Sequence, residues 1–324
     1  MSKSINPFSV ITQVIAVGSV DGICTTSALL RLIGRKADEI GLEFCQAFTV
    51  DKIAPSTWQD GRKVALVDLA VNNRDAEMTR AFVARVKEAG HEIVAVIDEH
   101  NRADWLEVLG SFLGLIVEPQ DQNEEPERFG SSGDVLLEAI EQIGVGDTHV
   151  VDLLDAAAAG DHMDFTTHFG AMVNQAVKSR IQDDTRRVHL ARRFAESREP
   201  DEAILGWIAE YEQILANHDT VVASRQDLGQ GIHRVSAKGL AVDMTTLMGR
   251  LYGDGARVVA LEGEAFNKAL GRKTLQIAFG SRDKGLDLFS LVKGAVPSAS
   301  GFANKVNVEP ADEEAAINAI KAAL

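Results

Sequence analysis

Between residues 13 and 160, short apolar runs alternate with stretches of helical period. Strands are expected at 13–17, 42–48, 63–68, 92–97 and 112–117, and helices near 24–34, 75–89 and 133–143. A further helix is expected over 150–159, with Gly160 suited to its C-terminus. This alternation predicts an α/β fold with a mainly parallel sheet covered by helices. The segment 119–128, Pro-Gln-Asp-Gln-Asn-Glu-Glu-Pro-Glu-Arg, is too polar for a core and reads as a surface loop.

Residues 171–218 carry helical period throughout, interrupted at Pro200, which starts the next helix. In that next helix Ile204, Trp207, Ile208, Tyr211, Ile214 and Leu215 recur at helical spacing and read as packing residues. The helix before it holds a basic cluster over 178–198: Lys178, Arg180, Arg186, Arg187, Arg192, Arg193 and Arg198. Two readings stay open for it, a solvated face balanced by Asp183 and Asp184 or a track for phosphate. From about 219 onward, strand patterns at 220–224, 257–261, 274–279 and 305–308 mix with helices near 242–251, 286–293 and 311–323. The expected organisation is a first domain over 1–170, a helical linker over 171–218 and a smaller C-terminal α/β domain over 219–324.

A length of 324 residues suits two domains better than one core. The formal charge of −15 argues against duplex nucleic acid as a partner, since two polyanions repel. No segment approaches the uncharged run of about 18 residues needed to span a membrane, so no membrane partner is expected. Residues 1–7 lack the charged-then-apolar layout of a secretory signal, and a cytoplasmic location is the expectation. A homodimer is compatible with the sequence. Cys24 and Cys45 have no partner at metal-binding spacing and read as small buried hydrophobes.

The chemistry concentrates at Asp98-Glu99-His100, which directly follows the apolar strand 93–97. Open α/β sheets hold ligands outside the carboxyl ends of their strands. Asp21 follows the first strand, Asp68 ends the third, and Asp161 follows the helix over 150–159. Carboxylates gathered at one sheet edge repel one another and their pKa values rise unless a cation is present. Mn²⁺ or Mg²⁺, hard ions that favour oxygen ligands, would relieve that repulsion. Each aspartate taken singly also suits a helix cap.

The order of these motifs resembles the DHH (Asp-His-His) phosphoesterase superfamily, over nearly the whole chain. Asp21-Gly22 leading into Ser27-Ala28 resembles the first motif, Asp68 the second, Asp98-Glu99-His100 the signature, and Gly160-Asp161 with Phe165 the fourth. Ser131-Ser132-Gly133 resembles the serine-containing start of the helix preceding the fourth motif. In the second domain, Ser281-Arg282 followed by Leu286-Asp287-Leu288 and Ser300-Gly301-Phe302-Ala303-Asn304 resemble the Arg-containing strand end and glycine-rich loop of the DHH-associated C-terminal domain.

The resemblance implies a metal-dependent hydrolase cleaving a phosphodiester or phosphoanhydride bond in a small nucleotide or short single-stranded oligonucleotide. It implies Asp21, Asp68, Glu99 and Asp161 as ligands, His100 as a phosphate contact supported by Asp98, and Arg282, Gly301 and Asn304 as substrate contacts. The chain also departs from the pattern. Ser19 stands where the family has an aspartate ligand, Glu99 replaces the first signature histidine, and Phe302 replaces the histidine of the glycine-rich loop. One of two metal positions is therefore expected to be stripped, leaving a single hard ion. His162 and His168 are candidate substitute ligands or ordinary polar residues. The alternative function is a pseudoenzyme of the same fold that binds a nucleotide or a protein partner without cleaving it. An unrelated dinucleotide-binding enzyme is disfavoured, because Gly18-Ser19-Val20-Asp21-Gly22 lacks the three-glycine turn and sets an acid where pyrophosphate would sit.

Overall fold

The computed structural model describes residues 6–324 apart from 73, 74, 182, 268–271 and 284, so most of the amino-terminal segment read for targeting lies outside the described residues. The chain forms two compact units, Met1–Ile208 and Ala209–Leu324. No helix among the described residues is long and apolar enough to cross a membrane.

The first unit is built on four parallel strands, β1 (Gln13–Val17), β2 (Gly41–Cys45), β3 (Lys63–Val67) and β4 (Glu92–Ile97), in the order β2-β1-β3-β4. Successive residues of a strand point to opposite faces, and here both faces are apolar. Val14, Ala16, Ala65 and Val67 join one core with α1 (Val20–Ile33), α4 (Ser132–Ile143), α5 (Thr148–Asp161), α6 (His168–Ser179) and α7 (Asp184–Glu196). Ile15, Val64, Leu66 and Val96 join the other with α2 (Ala76–Glu88) and α3 (Arg102–Leu109). The fold is thus the α/β arrangement expected, a parallel sheet between helices.

Two local expectations change in the first unit. The run 112–117 forms no regular strand, although Ile116 N donates to Val94 O at 2.7 Å and Val96 N to Val117 O at 3.0 Å, which covers the β4 edge. Gly160 lies inside α5 and does not end it. A Cβ there would sit 2.7 Å from Val20 Cγ1, so the glycine permits α1 and α5 to approach closely. Gly160→Ala is expected to cost about 1–3 kcal/mol of stability by overpacking, measurable by denaturant unfolding; an unchanged midpoint would show that this contact relaxes freely.

The basic cluster is largely engaged within its own unit. Arg186 pairs with Asp183 at 3.4 Å and lies over the Trp207 ring, Arg187 pairs with Asp184 at 2.5 Å, and Arg198 pairs with Asp152. Arg192 and Arg193 donate to the carbonyls of Ile40 and Glu199. These partners favour a balanced helix face over an open phosphate track.

The second unit begins within α8 (Glu202–Ala223), at Ala209, and the first turns of that helix belong to the first unit. It holds β5 (Gln226–Asp227), β6 (Ile232–Ser236), α9 (Met244–Gly253), β7 (Val258–Asn267), β8 (Arg272–Ser281), α10 (Leu288–Ala295), β9 (Ser300–Phe302), β10 (Lys305–Val308) and α11 (Glu313–Lys321). Its sheet is mixed, in the order β5-β6-β7-β8-β10-β9, with β6 and β7 parallel and the remaining pairs antiparallel. One face packs on α10 and α11 through Val258, Ala260, Ile277 and Phe279, the other on α8 and α9 through Val235, Val259 and Leu261. The run 220–224, expected as a strand, is the last turn of α8 and the residue after it. Its β-branched residues suited a strand, but Val221 is fully buried against Leu247 and Leu251, and packing overrides propensity.

Candidate metal centre

The β1 strand ends at Val17, and Ser19 then caps α1, its side chain accepting from Gly22 N at 2.8 Å. That cap sets Asp21 in the first turn, 2% exposed. The Asp21 carboxylate is held from the start of α4. Ser132 Oγ donates to Oδ1 at 2.7 Å and Ser132 N to Oδ2 at 2.9 Å, with Gly133 N 3.3 Å from Oδ1. Thr25, one turn along α1, adds a hydrogen bond at 3.0 Å. Burial nevertheless pushes the Asp21 carboxyl up to about 6, against these hydrogen bonds and with the charge of Asp161 adding to the rise.

Asp68 leaves β3 with φ +54°, a left-handed backbone unusual for a residue other than glycine and a mark of local strain at functional positions. Its amide donates to Ile97 O at 2.9 Å, and Ser19 Oγ donates to its Oδ2 at 2.5 Å. The glycine of Asp21-Gly22 lets the elements close up, since a Cβ on Gly22 would lie 2.2 Å from Val17 O and 2.9 Å from Asp68 Oδ2. Burial, then the charge of Asp21, raises the Asp68 carboxyl well above its ordinary value.

The triplet after β4 divides its roles. Asp98 is fully buried and accepts from Trp105 Nε1 at 2.8 Å, with His100 Nδ1 2.9 Å from its other oxygen. A carboxylate at that place holds the Nδ1 proton and leaves the Nε2 side of the ring for another partner. The hydrogen bond to Asp98 raises the His100 imidazole to about 9, so it carries its charge at neutral pH. Glu99 is 1% exposed, and neither carboxylate oxygen has a hydrogen-bond partner, although His100 Nδ1 makes an ion-pair contact 3.2 Å from Oε1. Burial first, then the charges of Asp98, Asp21 and Asp68, pushes Glu99 up to about 11.

Two ligand clusters share this residue: Asp68, Glu99 and His100, and Asp21, Glu99 and Asp161, with one ligand atom per residue and all such atoms of a cluster within 4.8 Å of one another. Asp161 is the last residue of α5, and burial raises its carboxyl as well. A buried carboxylate without a hydrogen bond is costly in a protein, and a hard divalent cation is a partner that the all-carboxylate cluster of Asp21, Glu99 and Asp161 fits. His162 lies against Gly130, while His168 Nε2 is 3.0 Å from Arg198 O with its ring edge-on to Phe169. Neither histidine enters the two clusters.

In the second unit, Arg282 follows β8 and Asn304 lies between β9 and β10, and both line a cavity of about 310 Å³. Gly301 is in β9 at φ +151° and is not among the lining residues. The motif Ser131-Ser132-Gly133 marks Ser132 in the sequence without its role of holding Asp21, and no motif marks Thr25 or Trp105. The i, i+4 spacing of Asp21 and Thr25 was one available signal, whereas nothing local marks Trp105 as the donor to Asp98.

No protein-family model matches the sequence, and no curated protein matches it. Solved structures do. The pGpG-specific phosphodiesterase PggH of Vibrio cholerae is 12% identical with a TM-score of 0.60, over 96% of this chain and 99% of that one. RecJ of Thermus thermophilus in complex with Mn²⁺ is 12% identical with a TM-score of 0.53, over 96% of this chain and 51% of that one, so this chain spans about half of RecJ. The DHH domain of a member of the s1p family of ribosomal proteins is 11% identical with a TM-score of 0.54, over 98% of this chain and 87% of that one. These likenesses, together with the order of strands and helices, give the chain the fold of the DHH superfamily.

Proposed function

We propose that the chain is a divalent-metal-dependent phosphoesterase with a reduced metal site, hydrolysing a phosphodiester or phosphoanhydride bond in a small nucleotide or short single-stranded oligonucleotide. Glu99 carries this reading: a buried carboxylate with no hydrogen-bond partner, in ligand clusters with Asp21, Asp68 and Asp161. Those four residues would hold one Mn²⁺ or Mg²⁺. When bound, such an ion supplies a Lewis acid and an acidified water.

The chain's own residues supply the rest. Ser132 and Thr25 hold the Asp21 carboxylate, and Ser19 holds that of Asp68, so two ligands are oriented before any ion arrives. His100, a cation held by Asp98, would contact a phosphoryl oxygen. Trp105 anchors Asp98 from behind. Arg282, Gly301 and Asn304 are assigned to the substrate away from the reacting phosphorus. The structurally similar PggH is a pGpG-specific phosphodiesterase and the RecJ structure holds Mn²⁺, which supports this class of substrate and ion.

One observation favours the pseudoenzyme reading. Ser19, at the position of a family ligand, spends its hydroxyl on Asp68 and not on a cation. The two readings separate on a panel of linear and cyclic dinucleotides, short oligonucleotides and polyphosphate at saturating Mn²⁺. Release of phosphate or mononucleotide supports the enzyme, and no turnover across the panel sinks it. In an active enzyme, Trp105→Phe is expected to keep the fold and lower kcat/KM about 10- to 100-fold by loosening Asp98 and hence His100. Unchanged kinetics in that variant would remove Trp105 from the account.

A further inference from the structure

One arginine of the basic helix α7 reaches the turn that carries the metal centre. Arg187 crosses the segment between β1 and α1: its Nε donates to Gly18 O at 3.2 Å, its Nη1 donates to Asp184 at 2.5 Å and its Nη2 donates to Ile181 O. The side chain is 11% exposed, well covered for an arginine. Gly18 is fitted to it. A Cβ at that position would lie 2.1 Å from Arg187 Nε and 2.4 Å from its Cδ, while the Gly18 backbone has no positive φ that would itself call for glycine. The passage of the arginine explains this glycine. Gly18 O and Ser19 N belong to one planar peptide unit, so the guanidinium fixes the plane from which Ser19 departs. Ser19 Oγ then accepts from Gly22 N at 2.8 Å and gives its single proton to Asp68 Oδ2 at 2.5 Å.

We propose that Arg187 is a positioning residue for the metal centre: by pinning the Gly18–Ser19 peptide it aims the Ser19 hydroxyl at Asp68 and so sets that carboxylate before any ion arrives. The contacts run in series from α7 through the turn after β1 to the end of β3, joining three segments distant in sequence. A guanidinium suits the task because its planar fork holds several acceptors at once, here two carbonyls and a carboxylate, which the point charge of a lysine would not keep in one plane. Its bond to the Gly18 carbonyl is charge-assisted and stronger than one between neutral groups. Arg192 and Arg193 of the same helix hold the carbonyls of Ile40 and Glu199 instead, neither of them next to a proposed ligand. The inference rests on the proposed function for its ion, whereas the positioning itself belongs to the metal-free chain.

Hydrogen exchange of the full chain in EDTA, read by mass spectrometry, tests the positioning, and titration with Mn²⁺ followed by the paramagnetic resonance of the free ion tests its consequence. Arg187→Ala should speed exchange over residues 19–23 about tenfold, the equivalent of one charge-assisted hydrogen bond, and leave α2 unchanged. It should weaken Mn²⁺ binding about tenfold or more, as should Ser19→Ala. Because the two residues act in series, the double variant should lose no more than about twofold beyond the larger single loss, where independent sites would multiply. Gly18→Ala keeps the arginine but pushes it aside; it should reproduce both effects, and it carries the same test if Arg187→Ala does not fold. Arg193→Ala should change neither readout. Unchanged exchange in Arg187→Ala, losses that multiply in the double variant, or a Gly18→Ala protein that behaves as the unaltered one overturns the proposal. An unaltered protein that takes up no Mn²⁺ sinks the metal reading instead, and the exchange result then decides the role of Arg187 on its own.

Discussion

Asp68→Ala is expected to lower kcat/KM by at least about 10³-fold, roughly 4 kcal/mol of transition-state stabilisation, while the protein remains folded. Asp68 combines three features: a left-handed backbone, a hydroxyl donated by Ser19, and a place in a ligand cluster with Glu99 and His100. Its removal takes away the proposed ligand and also a carboxyl that burial and neighbouring charge disfavour. Metal-free stability should consequently rise or hold while activity collapses, the trade expected where a site is built against its own stability. Asp68→Asn is the sharper companion, because asparagine tolerates the left-handed backbone and can still accept from Ser19. Activity in both variants within tenfold of the unaltered protein would show that Asp68 does not serve the chemistry.

Glu99→Gln is expected to abolish stabilisation by Mn²⁺ and to reduce the pH dependence of the metal-free protein to the share carried by other groups, His100 among them. Glu99 rises from its ordinary 4.5 to about 11 in the folded chain, chiefly through burial. Between those values the folded state holds a proton that the unfolded state has released, so stability falls as pH rises. The favourable contribution of the protonated acid is complete below the unfolded value and is lost progressively toward the folded one. In EDTA, stability should therefore drop from pH 6.5 to 8.5 with a slope on the order of 1 kcal/mol per pH unit. Mn²⁺ reverses the trend, because its ligands must be deprotonated and its affinity grows with pH. At about one hundred times the dissociation constant the ion should add about 2.7 kcal/mol, a shift of several degrees in Tm for a unit of this size. Calorimetric scans across pH with EDTA or Mn²⁺ read both effects. An EDTA slope undiminished in Glu99→Gln would assign it wholly to other groups.

The parallel sheet and the carboxylates at its edge were legible because they leave local marks: apolar runs followed directly by an acid. Asp21, Asp68, Glu99 and His100 follow three strands that parallel topology brings to one edge, whereas Asp161 ends a helix and reaches them only through the packing of α5 on α1. Legibility ended where the decisive contact is distant in sequence. Ser132 reaches Asp21 across 111 residues, and Gly160 is explained by Val20 on another helix. The run 220–224 reads as a strand by its β-branched residues but is settled by packing against α9. The short strands β5 and β9 have too few residues to show a period, and α3 is carried by its caps, Asn101 and Gly110, more than by an apolar stripe.

Crystals soaked in Mn²⁺ and measured at the manganese absorption edge address the metal centre most directly. One anomalous peak is predicted, within bonding distance of carboxylate oxygens of Asp21, Asp68, Glu99 and Asp161, with Glu99 among the ligands. No peak at saturating Mn²⁺, or a peak bound by other residues with Glu99 turned away, would contradict the assignment of this buried carboxylate as a metal ligand.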